Sequence, residues 1–234
     1  MKKVSVKGAI ISSSDQWIYD FFGMDATSPK SVSDAIVEAN GDDLEVEINS
    51  GGGDVFAGSE IYTTLKSYSG NVTTKIVGLA ASAASVIAMA GKNILMSPTG
   101  QMMIHNVSTR SSGDYRDMQH TADVLKNANT TIANAYRLKT GMSEADLLNM
   151  MNQETWLTPQ QALENKFIDE IMFSNGQVDL VASIQSNLLP IEVIEKMRNS
   201  KMQSNPLSNK DMDFFNAQKA KAKLNLLKLG GKKI

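Results

Sequence analysis

The tightest constraint on this chain is a change of pattern inside one stretch. Residues 72–77 read Val-Thr-Thr-Lys-Ile-Val, a strand-like run. Gly78-Leu-Ala-Ala-Ser82-Ala-Ala-Ser85-Val-Ile-Ala-Met-Ala-Gly91 follows directly and, after its glycine, is small, apolar and helix-competent. Seven of the twelve residues from Ala80 to Gly91 are Ala or Gly, so this helix can pack close against its neighbours. A strand that feeds straight into a buried helix is the unit of a layered α/β fold. The junction carries one hydroxyl, Ser82. At a helix mouth the first-turn N–H groups are unpaired and hold the positive end of the macrodipole. That setting suits a nucleophile whose transition state is an oxyanion. It equally suits a serine that only caps the helix.

The rest of the chain repeats the strand and helix alternation. Residues 4–11 read as a first strand, and 17–22 as a short aromatic loop packed on the core. Residues 31–40 read as a helix capped by Ser31 or Ser33, with Val32, Ile36 and Val37 as its stripe. Leu44-Glu-Val-Glu-Ile48 alternates cleanly as a strand and ends in Asn49-Ser-Gly51-Gly52-Gly53-Asp54; a helix over 55–68 follows. Strands are expected at 93–96 and at Met102-Met-Ile-His105. From residue 114 to 140 the pattern becomes one long helix, with Met118, Ala122, Leu125, Ala128, Ile132, Ala135 and Leu138 at helical spacing and Gly141 as its stop. Such a helix spans about 40 Å, enough to protrude from a domain. Ser143 opens a short helix, 155–157 is a strand, Thr158 caps a helix with Pro159 in its first turn, and 167–173 closes the domain as a strand. Composition shifts near Ser174 towards Asn, Gln, Ser and Lys. Residues 1–175 therefore form the expected domain. Residues 176–234 form a tail, whose 214–229 portion has helical periodicity made basic by Lys219, Lys221, Lys223 and Lys228.

Composition removes several function classes. The chain has no cysteine, which excludes disulfides, thiolate metal sites and a cysteine nucleophile. Two histidines are too few for most zinc sites, so no metal and no cofactor are expected. A formal net charge of -2 gives nucleic-acid binding no electrostatic support. The start lacks the apolar core of a signal peptide, and no apolar run reaches the roughly 18 residues of a membrane span, so a cytoplasmic protein is expected.

Four features bear on Ser82. Gly51-Gly52-Gly53 exposes N–H groups and lets another backbone approach, though it reads equally as a flexible turn. His105 stands at the carboxyl end of an apolar strand, where parallel α/β sheets place their sites; the bland alternative is a hydrogen-bonded core histidine. His120, the other histidine, lies among polar residues of the long helix and reads as solvated. Glu154, just before Thr155-Trp-Leu157, is the candidate acid, with Asp169 as runner-up; Asp54 and Asp146 look like turn and helix-start residues. Lys75 and Lys92 flank Ser82 in sequence and keep a Ser–Lys dyad open.

Three stretches together resemble the Clp protease proteolytic subunit: Ile48-Asn-Ser-Gly-Gly-Gly-Asp-Val55, Gly78-Leu-Ala-Ala-Ser82-Ala83 and Met103-Ile-His105. The order Ser, His, acid and the ending Trp156-Leu-Thr-Pro-Gln-Gln-Ala-Leu-Glu-Asn-Lys-Phe-Ile-Asp169 match that family too, over about residues 4–173. The resemblance implies a crotonase-like α/β spiral of repeated β-β-α units with a protruding handle helix over 114–140. It implies a serine endopeptidase with Ser82 as nucleophile, His105 as base and Glu154 where the family usually has aspartate. The backbone N–H groups of Gly53 and Ala83 match the oxyanion hole. The expected partners are a protein or peptide substrate and further copies of the chain, in a heptameric ring or stacked rings. Besides the Glu, the chain departs from the family in reading Asn49-Ser-Gly51 where proline is usual, in starting almost at its first strand without the family's axial loops, and in its basic tail. That form looks like the Clp-like head maturation proteases of tailed bacteriophages, which implies trimming of scaffold or major capsid protein in a procapsid. The alternatives are a cellular Clp subunit fed by an AAA+ unfoldase, an acyl-CoA hydratase or isomerase of the crotonase fold, and an inactive structural module.

Overall fold

Strict alternation along the first strands fixes which side of the sheet is core. Val4, Val6, Val46, Ile48 and Ile76 are buried on one face, while Lys3, Ser5, Glu47 and Lys75 fall on the other. The computed structural model describes residues 1–174; the expected tail over 176–234 lies outside the described residues. The elements run β1 (Lys2–Ile10), α1 (Gln16–Phe22), β2 (Ala26–Thr27), α2 (Pro29–Ala39), β3 (Leu44–Gly53), α3 (Val55–Lys66), β4 (Val72–Ala81), α4 (Ala83–Ala88), β5 (Asn93–Met96), β6 (Gln101–Ile104), α5 (Tyr115–Thr140), α6 (Glu144–Asn152), β7 (Thr155–Leu157), α7 (Pro159–Glu164) and β8 (Glu170–Ile171).

Along the path β2-β1-β3-β4-β5-β8 of one eight-stranded sheet every pair is parallel. The α/β alternation read from the sequence is therefore the architecture. Side chains from α2, α3 and α4 fill the core against the sheet's apolar face, with Val32, Ile61, Leu65 and Ile87 among its members. The opposite face keeps charges. Lys75 Nζ lies 2.6 Å from Glu45, and Lys3 Nζ lies 3.3 Å from Glu45 and 2.9 Å from Glu47.

The sheet forks at β4, and the fork builds the site. Residues 73–76 pair with β5, but residues 79–81 pair with β6, which in turn pairs antiparallel with β7. The break is an irregularity against β3: Ile48 opposes Ile76, whereas Ser50 opposes Ala80. The Asn49 side chain fills this bulge, accepting from the Leu79 N–H at 3.1 Å. A Cβ at residue 78 would lie 2.6 Å from Asn49 Oδ1, so only glycine leaves room for that plug.

Several boundaries differ from those expected. The aromatic segment is a helix, α1, and none of its residues is buried; Gly23 in the left-handed region ends it. Helix α2 is capped by Ser28, not Ser31 or Ser33; Ser31 is its capping-box partner and Pro29 opens its first turn. Strand β3 continues through Gly51, Gly52 and Gly53 because β1 pairs with them, Ala9 opposite Gly52 and Ile10 opposite Gly53. Strand β4 likewise runs on to Ala81, so the small-residue helix α4 starts only at Ala83 and has six residues. Only Glu170–Ile171 of the expected last strand is a strand; Phe167 and Ile168 are core residues before it. The long helix matches its expected span, with Asp114 in a capping box and Gly141 as a left-handed stop.

Candidate active site

The end of β4 is pinned on both sides before it turns. The Ser82 N–H donates to the Met103 carbonyl at 2.9 Å, which ties the turn to β6. Ser82 then adopts φ 55° and ψ -126°, a sparsely populated region for a residue with a Cβ. Its side chain makes no capping hydrogen bond to α4, although it occupies the cap position. Instead Ser82 Oγ lies 2.8 Å from His105 Nε2. His105 reaches that position because it directly follows β6, the strand paired with the end of β4. A strained turn that aims a hydroxyl at an imidazole is the geometry of an activated nucleophile.

A cleft opens on this pair. Gly53, Ala83 and His105 line one part of it, and Val55, Val86, Ile132 and Tyr136 line the rest. Ala83 is the first residue of α4, so its N–H has no acceptor within the helix. At Gly53 the next N–H, of Asp54, is held by the Ile10 carbonyl at 2.8 Å. Successive amides of a strand point to opposite sides, which turns the Gly53 N–H away from β1. An apolar cleft continues past Ala83 and Val86 to Tyr62, Ala135 and Leu138.

Glu154 is the one expected site residue whose side chain is not joined to the others. The antiparallel register ends with Thr155 opposite Ile104, and Glu154 and His105 are the residues next to that last pair. Yet Glu154 is exposed, has φ 48°, and its Oε1 accepts from Trp156 Nε1 at 3.3 Å. Among the described residues, the only side-chain hydrogen bond of His105 is to Ser82. The rivals lie elsewhere. Asp169 is held by Lys139 at 2.6 Å and by the Ile94 N–H at 2.7 Å. Asp54 caps α3, and Asp146 accepts from Ser143 at the start of α6. Lys75 is bonded to Glu45 and Lys92 to Asn71, so neither builds a Ser–Lys dyad with Ser82. His120 is exposed on α5.

Two polar residues at the site were not singled out by sequence reasoning. Ser85 Oγ donates to the Ser82 carbonyl at 2.6 Å and lies 2.8 Å from Tyr136 Oη. The available signal was faint: Ser85 stands one helical turn after Ser82, and Tyr136 is the one aromatic residue beyond the first of α5.

The Clp protease family model matches residues 34–175. The ATP-dependent Clp protease proteolytic subunit of Deinococcus radiodurans is 32% identical over 133 residues, covering 56% of this chain and 65% of that protein. The corresponding subunit of Bacteroides fragilis is 33% identical over 134 residues, again covering 56% of this chain and 65% of the relative. The chain thus spans a little under two thirds of the length of these curated relatives. A solved ClpP1 mutant from Listeria monocytogenes has a similar fold, with a TM-score of 0.59 at 22% identity over 73% of this chain and 91% of that one.

Proposed function

Because the chain belongs to the Clp protease family, we propose that it is a serine endopeptidase that cuts peptide bonds through an acyl-enzyme. The observation that carries this reading is the 2.8 Å contact between Ser82 Oγ and His105 Nε2, made by a serine that does not cap its helix. In the proposed mechanism His105 takes the Ser82 proton as Oγ attacks the carbonyl carbon, then gives it to the leaving amine. Water, deprotonated by the same imidazole, releases the acid product. The Gly53 and Ala83 N–H groups hold the oxyanion, each such donor being worth about 3 kcal/mol in the transition state. Glu154 turns from the Trp156 indole to His105 Nδ1, where it fixes the tautomer and stabilises the imidazolium. The β6–β7 register, which ends one residue away with Ile104 opposite Thr155, and the solvent exposure of Glu154 support that movement. An extended peptide lies along the Gly51–Gly53 edge and is held by main-chain hydrogen bonds, with loose side-chain preference.

We further propose that the substrate is a phage scaffold or major capsid protein, cut in a procapsid by a ring of copies of this chain. Glu154 in place of aspartate, Gly51 in place of proline and the residues 176–234 beyond the family match support this form. The second reading, a subunit fed by an AAA+ unfoldase, is favoured by the relatives' name, ATP-dependent Clp protease proteolytic subunit.

A fluorophosphonate probe tests the chemistry. Labelling at Ser82 is expected, with none in Ser82→Ala or His105→Ala, and a drop of about 10²-fold or more in Glu154→Gln that Glu154→Asp partly restores. Ser82→Ala should keep its thermal stability, since no cap bond is lost; a lost cap costs about 1 kcal/mol. Folded protein that is never labelled sinks the hydrolase reading. New N-termini on a co-expressed capsid or scaffold protein support the procapsid role. ATP-dependent degradation of a folded substrate with an unfoldase supports the other.

A further inference from the structure

The Ser82 carbonyl accepts from the Ser85 and Val86 N–H groups at 2.9 and 3.3 Å, and two hydroxyls add to that hold from inside the core. Ser85 is fully buried, and Tyr136 is nearly so where it lines the cleft that contains Ser82 and His105. Ser85 Oγ is 2.6 Å from the Ser82 carbonyl oxygen, which can only accept, so the single Ser85 proton is committed there. Tyr136 Oη, 2.8 Å from Ser85 Oγ, must therefore be the donor of the second bond. Burial pushes the Tyr136 phenol well above its ordinary range, which keeps that proton in place. The result is a directed chain from Tyr136 on α5, through Ser85 on α4, to the Ser82 carbonyl.

The carbonyl it holds matters because of what shares its plane. The Ser82 C=O and the Ala83 N–H belong to one rigid peptide unit. Fixing the direction of the oxygen fixes the direction of the hydrogen. Ser82 itself sits at φ 55° and ψ -126°, from which the turn would relax if released. We infer that Tyr136 and Ser85 are positioning residues that aim the Ala83 N–H at the oxyanion of the reaction. The inference rests on the hydrolase reading above. The two hydroxyls are engaged with each other and with the Ser82 carbonyl, so each acts through the Ser82–Ala83 peptide. A misaimed donor weakens only the transition state, so turnover falls while ground-state binding holds.

The test uses the full chain and the rate of fluorophosphonate labelling at Ser82 per folded molecule. Tyr136→Phe keeps the ring and deletes one oxygen; Ser85→Ala deletes the other. Labelling is expected to slow roughly tenfold in Ser85→Ala and several-fold in Tyr136→Phe, with peptide kcat falling in step and KM within about twofold of wild type. Because the two bonds act in series, the double variant should be no slower than Ser85→Ala alone, again within about twofold. Tyr136→Phe carries the test by itself if Ser85→Ala misfolds. Wild-type protein that labels, with Tyr136→Phe labelling at the same rate per folded molecule, overturns the relay and leaves the hydrolase reading intact. A double variant that multiplies the single losses also overturns it. Folded wild type that never labels removes the hydrolase reading and the relay with it.

Discussion

At the scale of single residues, the site depends on how closely β3 approaches the Ser82 turn. A Cβ at residue 52 would lie 2.7 Å from the Ala81 carbonyl oxygen and 2.7 Å from Ser82 Cβ, and the backbone there has φ +91°. Those neighbours are the Ser82 turn itself, so they cannot yield without moving the Ser82 hydroxyl. Left-handed strain alone costs about 1–3 kcal/mol. Gly52→Ala should therefore lower Tm by several degrees, about 2–4 °C per kcal/mol for a chain of this size. It should also slow Ser82 labelling by more than its stability loss explains. Gly51→Ala is the control one residue away. Its Cβ meets nothing within 4 Å and its φ is not positive, so melting should stay near wild type. Equal behaviour of the two variants would show that close packing of β3 on the turn is not what holds it.

At the scale of elements, the sheet carries an ion-pair ladder where parallel sheets are usually covered by helices on both faces. Glu45 is the buried member of that ladder. Its hydrogen bond from Lys75 holds the carboxyl below the usual range, against the opposing effect of burial, and Lys3 adds to the lowering. A depressed folded pKa means that the stabilisation is complete above the ordinary carboxylate value, 4.5, and is lost as pH falls through the folded value. Denaturant midpoints followed from neutral pH down to about pH 3 should fall in the wild type below that value, and fall less in Glu45→Gln. Parallel curves for the two proteins would remove Glu45 from the acid response. The strands and helices around this ladder were legible because period-2 runs meet period-3.6 runs at glycine and proline. What was not legible depended on neighbours. Three glycines read as a turn until β1 pairs with them, and Gly78 reads as a helix entry until Asn49 needs its space. Ser31 and Ser33 follow the proline of α2 and read as its caps, while the true cap, Ser28, stands before it. Ser82 and His105 were readable as motifs with the correct strand context. The bond between Ser85 and Tyr136 joins residues 51 positions apart and leaves no local pattern. The bond from Trp156 to Glu154, made at a left-handed backbone position, is likewise something to which spacing is blind.

At the scale of the whole molecule, α5 is too long for the core that holds it. Its buried residues, Ala133, Ala135, Tyr136 and Thr140, all fall near its C-terminal end. A helix of 26 residues spans about 39 Å, so its first half stands clear of the sheet. That half carries Tyr115, Met118 and Val124 among its exposed apolar residues. An isolated helical arm gains little from propensity alone and is stabilised by packing an apolar stripe against something. Its capping box at Asp114 and its basic last turn, Arg137 and Lys139, favour a formed helix, but they do not cover these exposed side chains. In a member of this family, the occupant we expect is the same arm of another copy, because packing two such arms together covers exposed apolar side chains of both at once. Sedimentation at about 10 µM should give a species heavier than the 25.4 kDa chain. The double substitution Met118→Asp, Val124→Asp should shift it towards the monomer with the helical signal unchanged, because both side chains are exposed in the single chain and a carboxylate there costs nothing until two arms meet. Monomeric wild type, or an assembly indifferent to both charges, would mean that copies do not meet along α5.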